Sequence, residues 1–209
     1  LHSFPTRRSS DLRFYFTNLT DLATAFKNCS NLTSITIPKG VTNVGAMDND
    51  MKIYVGPFAG CKSLASLKVE EGNPIYSSRN DCNAIIETAT NTLVSGCQNT
   101  EIPTNVTAIE VEAFSGCSGL TAITIPEGVQ RIGASAFNNC TGLTSITIPK
   151  SVTTLGNMAY AGVYFYVRPF TGCSGLTSVI VDIEEPLTTA GTVFYNVENA
   201  ILYVPKGSK

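Results

Sequence analysis

Apolar residues recur along the chain at a fixed spacing of 23 positions. The stretch 120–126 reads LTAITIP and the stretch 143–149 reads LTSITIP, while Phe114-x-x-Cys117 returns as Phe137-x-x-Cys140. Alternating apolar residues that end at a proline are typical of a short strand. A constant period of this size indicates a repeat solenoid, in which each unit buries its apolar side only by stacking on its neighbours.

Six segments share the alternating pattern and are predicted to be strands of one parallel sheet, each reached by a crossover. They are Leu32 to Ile37, Leu64 to Val69, Cys97 to Ile102, Leu120 to Ile125, Leu143 to Ile148 and Leu176 to Val181. A seventh strand is expected near Val204, which lies 23 positions after Val181. Seven layers about 4.8 Å apart would span roughly 30 Å.

A second pattern follows the strands, seen as Val129-x-x-Ile132-Gly133 and repeated from Val152 to Gly156. We expect the apolar pair to lie where the chain changes direction and the glycine to permit a tight bend there. The phenylalanine of the next Phe-x-x-Cys should then fill the core. Phe114, Phe137 and Phe170 occupy this position in their units, so they should stack in register.

Three insertions interrupt the period. Residues 46–57 and 157–169 are predicted to be extra loops at the same corner of the repeat. Residues 76–96 contain Ala84 to Glu87 and Thr92 to Val94 around a turn of small polar residues, which predicts a β-hairpin. Residues 1–12 do not match the repeat pattern of the rest of the chain. They resemble translated sequencing-adapter sequence, so we interpret them as a non-native or disordered tail.

The composition of the chain limits the classes of binding partner that we expect. Charged residues make up 14% of the chain, against about 25% in average proteins. The net charge of −2 gives no reason to expect a nucleic-acid or anionic-membrane partner. No apolar run approaches the roughly 20 residues of a membrane span, so membrane insertion is not expected.

The sequence offers little to catalysis. The only histidine, His2, lies in the tail, and acid–base or nucleophilic catalysis most often needs a histidine partner. The carboxylates in Glu70–Glu71 and Glu184–Glu185 are adjacent, so on a strand they face opposite ways. Asp48-Asn49-Asp50 has oxygen ligands of the kind calcium takes, but lacks the glycine and distal glutamate of an EF-hand. We expect no catalytic residue, metal or cofactor.

Five of the seven cysteines occupy the same position of the Phe-x-x-Cys pattern: Cys29, Cys61, Cys117, Cys140 and Cys173. Stacked positions lie about 4.8 Å apart, whereas a disulfide needs Cβ atoms about 3.8 Å apart. The pattern therefore predicts a ladder of buried thiols that act as small apolar fillers. Cys97 takes the core position of Leu120. Cys82 lies outside both columns, which leaves a Cys82–Cys97 bridge open.

The complete unit reads Leu-x-x-Ile-x-Ile-Pro-x-x-Val-x-x-Ile-Gly-x-x-Ala-Phe-x-x-Cys, and it resembles the BspA-type leucine-rich repeats of bacteria. Residues 83–93 and 200–207 also resemble recurrent pieces of that family, and the likeness runs from about residue 26 to 209. The resemblance implies one right-handed leucine-rich-repeat superhelix of the horseshoe type over residues 13–209. It would have a parallel sheet, short helical or irregular returns, and a truncated C-terminal cap.

The resemblance also implies a function. Members of this family are secreted or surface-anchored proteins of gut or oral bacteria that adhere to host matrix proteins, cells or glycans, and they provide no catalytic residues to transfer. The alternative is a structural spacer that displays another domain missing from this fragment. We expect a monomer, with end-to-end association through open strand edges.

Three regions are candidate contact surfaces: the two corner loops and the outward face of the predicted strands. The second loop concentrates aromatic residues and one arginine, types that dominate binding interfaces, although the loop could instead fold back and bury them. The strand face could bind a protein or glycan, or simply be a threonine ladder that favours strands. The candidates are Tyr160, Tyr164, Phe165, Tyr166 and Arg168 in the second loop, Lys52 and Tyr54 in the first loop, and Lys68, Glu101, Thr124 and Thr147 on the strand face.

Overall fold

The computed structural model describes residues 19–48, 53–160, 163–166, 168–183, 193–194, 197 and 199–206. Within these ranges the fold is dominated by strands, and its one helical element is the short 3-10 turn η1, Arg79–Asp81. The strands are β1 Ser34–Ile37, β2 Ala46–Asp48, β3 Ile53–Val55, β4 Ser66–Val69, β5 Tyr76–Ser77, β6 Ala84–Glu87, β7 Thr92–Gly96, β8 Ala108–Ile109, β9 Arg131–Gly133, β10 Ser145–Ile148, β11 Thr154–Tyr160, β12 Val163–Tyr166, β13 Ser178–Val181 and β14 Ile201–Tyr203.

Equivalent strands of the repeat pair in parallel and in register. Strand β1 pairs with β4, with Ile35 opposite Leu67. Strands β10, β13 and β14 form a second parallel sheet, in which Ile146 aligns with Val179 and Val179 with Leu202. The predicted parallel pairing is confirmed for these five segments, including the seventh strand. We call the outward side of these strands the strand face.

Two of the predicted strands, Cys97 to Ile102 and Leu120 to Ile125, are not formed, so that prediction was wrong. The Thr100 hydroxyl accepts from the Cys97 N–H at 2.8 Å and donates to the Asn83 carbonyl at 2.6 Å, which folds the first segment into a turn. The second segment lies beside this turn and lacks a regular strand partner there. Leu120 nevertheless stays fully buried in the common core.

The return segments form a second side of regular structure, which corrects the expectation of a simple corner there. Strands β8, β9 and β11 pair in parallel, with Ile109 opposite Ile132 and Ile132 opposite Leu155. They belong to a seven-stranded sheet in the order β12-β11-β9-β8-β7-β6-β5. The period of 23 aligns every backbone position of successive units, so the returns also meet the condition for strand pairing.

The hairpin of strands β6 and β7 lies within the stack. The two strands pair antiparallel around the predicted turn, and nearly all their residues are buried. Ile85 and Val94 join the core of the first layers, while Ile86 and Leu93 join the core of the later layers. The insertion predicted at residues 76–96 therefore contributes a layer that separates the two cores.

The phenylalanines stack as predicted. Ring centroids lie 5.0 Å apart for Phe114 and Phe137 and 5.2 Å apart for Phe137 and Phe170, with interplanar angles of 4° and 9°. The stack continues from Phe170 to Phe194 at 5.2 Å, and Phe26 stacks on Phe58 at 5.5 Å near the start of the described chain. The vertical alignment inferred from the period is confirmed at these positions.

Backbone hydrogen bonds join the successive Phe-x-x-Cys turns, which we call the turn ladder. The N–H of the third residue in each turn donates to the carbonyl of the second residue in the next turn. The bonds run from Asn28 to Ala59 at 2.7 Å, Gly60 to Ser115 at 2.8 Å, Gly116 to Asn138 at 2.7 Å and Asn139 to Thr171 at 2.8 Å. The layers are therefore joined at these turns as well as along both sets of strands.

Candidate binding surfaces

The outward residues of the strand face change in character along the stack. In the first layers Ser34 lies opposite Ser66 and Thr36 opposite Lys68. The Lys68 ammonium pairs with the Asp81 carboxylate at 3.2 Å in an exposed ion pair. An exposed pair of this kind adds little stability, so this candidate residue remains accessible to a partner.

The middle of the strand face is irregular. The candidates Glu101 and Thr124 are exposed, but they belong to the two segments that form no strand. Neighbouring layers stay in contact there: the Asn99 amide donates to the Ala65 carbonyl at 3.1 Å, and the Thr144 N–H donates to the Thr121 carbonyl at 3.2 Å. The candidates of the strand face thus do not form the single regular row that the sequence predicted.

At the far end the strand face becomes apolar. The candidate Thr147 is half-buried opposite Ile180, and Ile180 lies opposite Tyr203. The exposed fractions are 38% for Ile180, 60% for Ile201 and 51% for Tyr203. Leu202 aligns with the buried Val179, yet it is 56% exposed because no described layer covers it.

Both predicted corner loops contain antiparallel hairpins. The first pairs β2 with β3, and its strand β3 includes Tyr54. The second pairs β11 with β12, and we call it the tyrosine hairpin. In its register Tyr164 lies opposite Ala159, Tyr166 opposite Asn157, and Phe165 opposite Met158.

The tyrosine hairpin brings four candidates together: Tyr160, Tyr164, Phe165 and Tyr166 all lie on its two strands. Arg168 is exposed just after β12. Lys52 falls outside the described residues. Because β11 also pairs with β9, the hairpin is a continuation of the seven-stranded sheet. Sequence reasoning located this cluster but did not predict that two paired strands would carry it.

A groove along the turn ladder was missed by the sequence analysis. The third residue of each turn has a left-handed backbone, with φ of 61° at Asn28, 80° at Gly60, 75° at Gly116, 57° at Asn139 and 71° at Gly172. Glycine and asparagine are the residues that adopt this conformation at low cost. The recurrence of asparagine or glycine at this one repeat position was the signal in the sequence.

The groove has a volume of about 620 Å³ and crosses four successive turns. Its middle turns present small residues, Ala59-Gly60 and Ser115-Gly116, whereas its end turns present Lys27-Asn28 and Asn138-Asn139. The floor is closely packed, since a Cβ atom on Gly116 would lie 2.7 Å from the Gly60 Cα. The remaining walls come from Lys62, Glu112, Ser118 and Thr141. We call this depression the turn groove.

Buried cysteines line the inner side of the same turns. The thiols donate to phenylalanine carbonyls of an earlier turn: Cys61 to Phe26 at 3.0 Å, Cys140 to Phe114 at 3.1 Å and Cys173 to Phe137 at 3.0 Å. All seven cysteines are free thiols, Cys82 and Cys97 included. The thiol ladder therefore supplies hydrogen-bond donors as well as the volume that the sequence predicted.

The buried thiols are poor nucleophiles. Burial raises the pKa of Cys61 and Cys117 to about 12 and that of Cys173 to about 11, and it raises the pKa of Cys140 well above 9.0. A thiolate is the reactive form, so these residues stay unreactive near neutral pH. Within the described ranges no group of three or more histidine, cysteine or acidic residues is arranged to hold a metal ion.

The repeat, its strand register and the turn ladder agree with a known repeat family. A family model described as the BspA type leucine-rich repeat region matches residues 22–165 and 91–206, in six copies. The chain belongs to the BspA-type leucine-rich repeat family. The resemblance inferred from the sequence is thereby confirmed. None of the curated proteins matches the chain.

Solved structures show the same fold. A leucine-rich repeat protein from Eubacterium ventriosum shares 24% identity with a TM-score of 0.56, and the match covers 83% of this chain and 48% of that one. A leucine rich cell surface protein from Faecalibacterium prausnitzii shares 23% identity with a TM-score of 0.51 and the same coverages. The pneumococcal vaccine antigen PcpA shares 18% identity with a TM-score of 0.52, covering 87% of this chain and 47% of that protein. This BspA-type chain thus spans about half the length of these relatives.

The described residues of this BspA-type chain form almost no helix. The helical element among them is the three-residue turn η1, and no helix there is long and apolar enough to cross a bilayer. Strands and turns account for the remaining described elements.

Proposed function

We propose that this chain is a right-handed leucine-rich-repeat solenoid that serves as a non-enzymatic, protein-binding adhesion module at a bacterial cell surface. Leucine-rich repeats generally mediate protein interactions, and the chain belongs to such a family. A structural relative from Faecalibacterium prausnitzii is itself described as a cell surface protein. Secretion or surface attachment, and a host matrix protein or neighbouring cell as ligand, are part of the proposal.

The tyrosine hairpin is the observation that carries the proposal. It places Tyr164, Phe165 and Tyr166 on one strand, at the margin of the seven-stranded sheet. Tyrosine supplies a large contact area at a low cost in conformational entropy, and it is enriched among the residues that dominate binding energy. Tyr164 and Tyr166 are two positions apart, which in a strand corresponds to one face.

The proposal is tested with the double variant Tyr164→Ser and Tyr166→Ser in the full chain. We expect this variant to reduce retention on immobilised host matrix proteins by about tenfold or more, because truncating a central aromatic residue of an interface typically costs about 2 kcal/mol. Surface plasmon resonance measures the loss. Circular dichroism should show an unchanged strand signal.

A matched control uses Tyr203→Ser, since Tyr203 is an exposed tyrosine on the strand face, away from the hairpin. We expect its retention to equal that of the original protein. Equal retention by the double variant would contradict the role of the hairpin. If the original protein is not retained on any matrix protein or intact cell, the chain is better described as a structural spacer.

A further inference from the structure

We propose that the turn groove is a second binding site, and that it takes an acidic polysaccharide. Its shape is built by the sequence: two middle turns carry alanine, serine and glycine, and the turns on either side carry lysine and asparagine. The volume of about 620 Å³ falls within the range of about 300–1,000 Å³ typical of ligand sites. The site is independent of the tyrosine hairpin.

The floor of the groove excludes recognition by strand addition. Along it the N–H groups of Asn28, Gly60, Gly116 and Asn139 already donate to the next turn. An added peptide strand needs unpaired backbone donors and acceptors at a sheet edge. Recognition in the turn groove must therefore come from the side chains of its walls.

Those walls are hydroxyl, amide and ammonium groups. Ser115, Ser118 and Thr141 supply hydroxyls, and Asn138 and Asn139 supply amides. Each of these groups both donates and accepts, or presents a donor beside an acceptor, which matches the hydroxyls of a sugar. The lining contains no aromatic residue and no apolar residue larger than alanine, so an apolar peptide or helix has no anchor there.

The charges of the groove favour a negative ligand. Lys27 and Lys62 are exposed on its walls, and neither takes part in the two ion pairs found among described residues. The one acidic wall residue, Glu112, is partly compensated because its carboxylate accepts from the Gly56 N–H at 3.0 Å. Two ammonium groups against one engaged carboxylate attract the carboxylates of uronic-acid units.

The groove is long enough for a run of several sugars. Four layers about 4.8 Å apart give a floor of roughly 14 Å. Because the turns are hydrogen-bonded to one another at every step, the wall groups are held at fixed spacing along it. A rigid array of this kind reduces the ordering cost of binding an extended polymer.

The experiment titrates the full chain with hexagalacturonate by isothermal calorimetry at low salt. We expect saturable binding that weakens as sodium chloride is raised. Maltohexaose, a neutral sugar of equal length, should bind at least tenfold more weakly. The double variant Lys27→Gln and Lys62→Gln should bind hexagalacturonate about tenfold more weakly, and Ser115→Glu, which adds a negative charge beside the floor, should also lose binding.

The matched control is Lys150→Gln, since Lys150 is exposed and lies outside the groove. Its affinity for hexagalacturonate should not change. The proposal is overturned by an absence of saturable binding, by an equal loss in Lys150→Gln, or by equal binding of maltohexaose. Tighter binding of hexaglutamate would also overturn it and assign the groove to acidic peptides. None of these outcomes bears on the tyrosine hairpin, which is tested separately by the Tyr164 and Tyr166 variant.

Discussion

Cys61, Cys140 and Cys173 have the same role in their repeats. Each thiol fills a tight corner and donates to the phenylalanine carbonyl of an earlier turn, as Cys140 does to Phe114 at 3.1 Å. The Phe114 carbonyl also accepts from the Cys117 N–H at 3.0 Å, so the thiol is the second donor to this oxygen. Alanine would remove the second hydrogen bond and leave unfilled volume, and a larger apolar residue would not fit the corner.

The raised thiol pKa values predict a loss of stability in alkaline solution. Burial raises the pKa of Cys61 and Cys117 from 9.0 to about 12 in the folded chain. Above pH 9 the unfolded chain releases these protons while the folded chain keeps them, so the free energy of unfolding falls as pH rises from about 9 to 12. The effect is at most about 1.4 kcal/mol per pH unit for each thiol.

Urea unfolding between pH 8 and 11 measures this slope. To isolate the contribution of the two thiols, the comparison is with the double variant Cys61→Ala and Cys117→Ala. The variant should be less stable at pH 8 but show a flatter dependence on pH. An identical slope in both proteins would contradict the assignment to these thiols.

Each Phe-x-x-Cys turn depends on the turns that precede and follow it. The Asn28 side chain lies over Gly60, and the Asn139 side chain lies over Gly172, each in the space that a Cβ atom would occupy. An asparagine at the third position therefore requires a glycine in the following turn. The pairing of an asparagine with a glycine in the following turn is a packing rule between neighbouring turns.

This rule predicts different costs for two glycine substitutions at nearly the same φ. Gly60 and Gly72 have φ of 80° and 85°, but a Cβ atom at Gly72 meets nothing within 4 Å, whereas one at Gly60 meets Asn28. Gly72→Ala should cost about 1 kcal/mol from backbone strain alone. Gly60→Ala should cost about 1–3 kcal/mol more, because the space is already filled.

Thermal and urea unfolding measure both costs. Adding Asn28→Gly to Gly60→Ala should recover most of the extra loss, because it removes the side chain that the new methyl group meets. Equal costs for Gly60→Ala and Gly72→Ala would show that backbone strain, and not contact between turns, determines the preference for glycine.

Stability of the whole molecule depends on contacts between adjacent layers. The core is divided into two clusters, and the β6–β7 hairpin contributes buried side chains to both. Neighbouring layers are joined by the turn ladder, and many of them also by strand pairing or ring stacking. In such a chain the total stability is approximately a sum of layer and interface contributions.

A destabilising substitution in the middle of the stack should therefore allow the layers on its two sides to unfold as separate units. Phe137 is fully buried between Phe114 and Phe170, so Phe137→Ala should cost about 3–5 kcal/mol. It should also lower the cooperativity of urea unfolding. Hydrogen exchange should then report faster opening on both sides of residue 137.

The control is Phe26→Ala, which removes a ring from the first turn of the ladder, where Phe26 stacks on Phe58. We expect its effect on exchange to stay within the first layers. Uniform loss of protection across the chain in both variants would contradict an additive arrangement of layers.

The sequence by itself determined which side chains lie above one another. The repeat places Phe114, Phe137 and Phe170 at the same height in their layers: they are 23 and 33 positions apart, and the insertion at 157–169 accounts for the larger spacing. Burial of an apolar stripe then forces them to stack. The parallel register of β10 with β13 follows from the same cause. The clustering of aromatic residues near β12 could also be predicted from the sequence, because those residues are close together in the chain.

Only the tertiary structure decided features that depend on residues from different layers. The sequence predicted the β6–β7 hairpin as an insertion but not where it packs, and its two apolar faces gave it a place between two cores. Thr100 bends the Cys97 segment through a hydrogen bond to Asn83, a contact that no local pattern specifies. The turn groove exists because Gly60 and Gly116 meet on adjacent turns. These residues are 56 positions apart in the sequence, and that separation alone does not predict their contact.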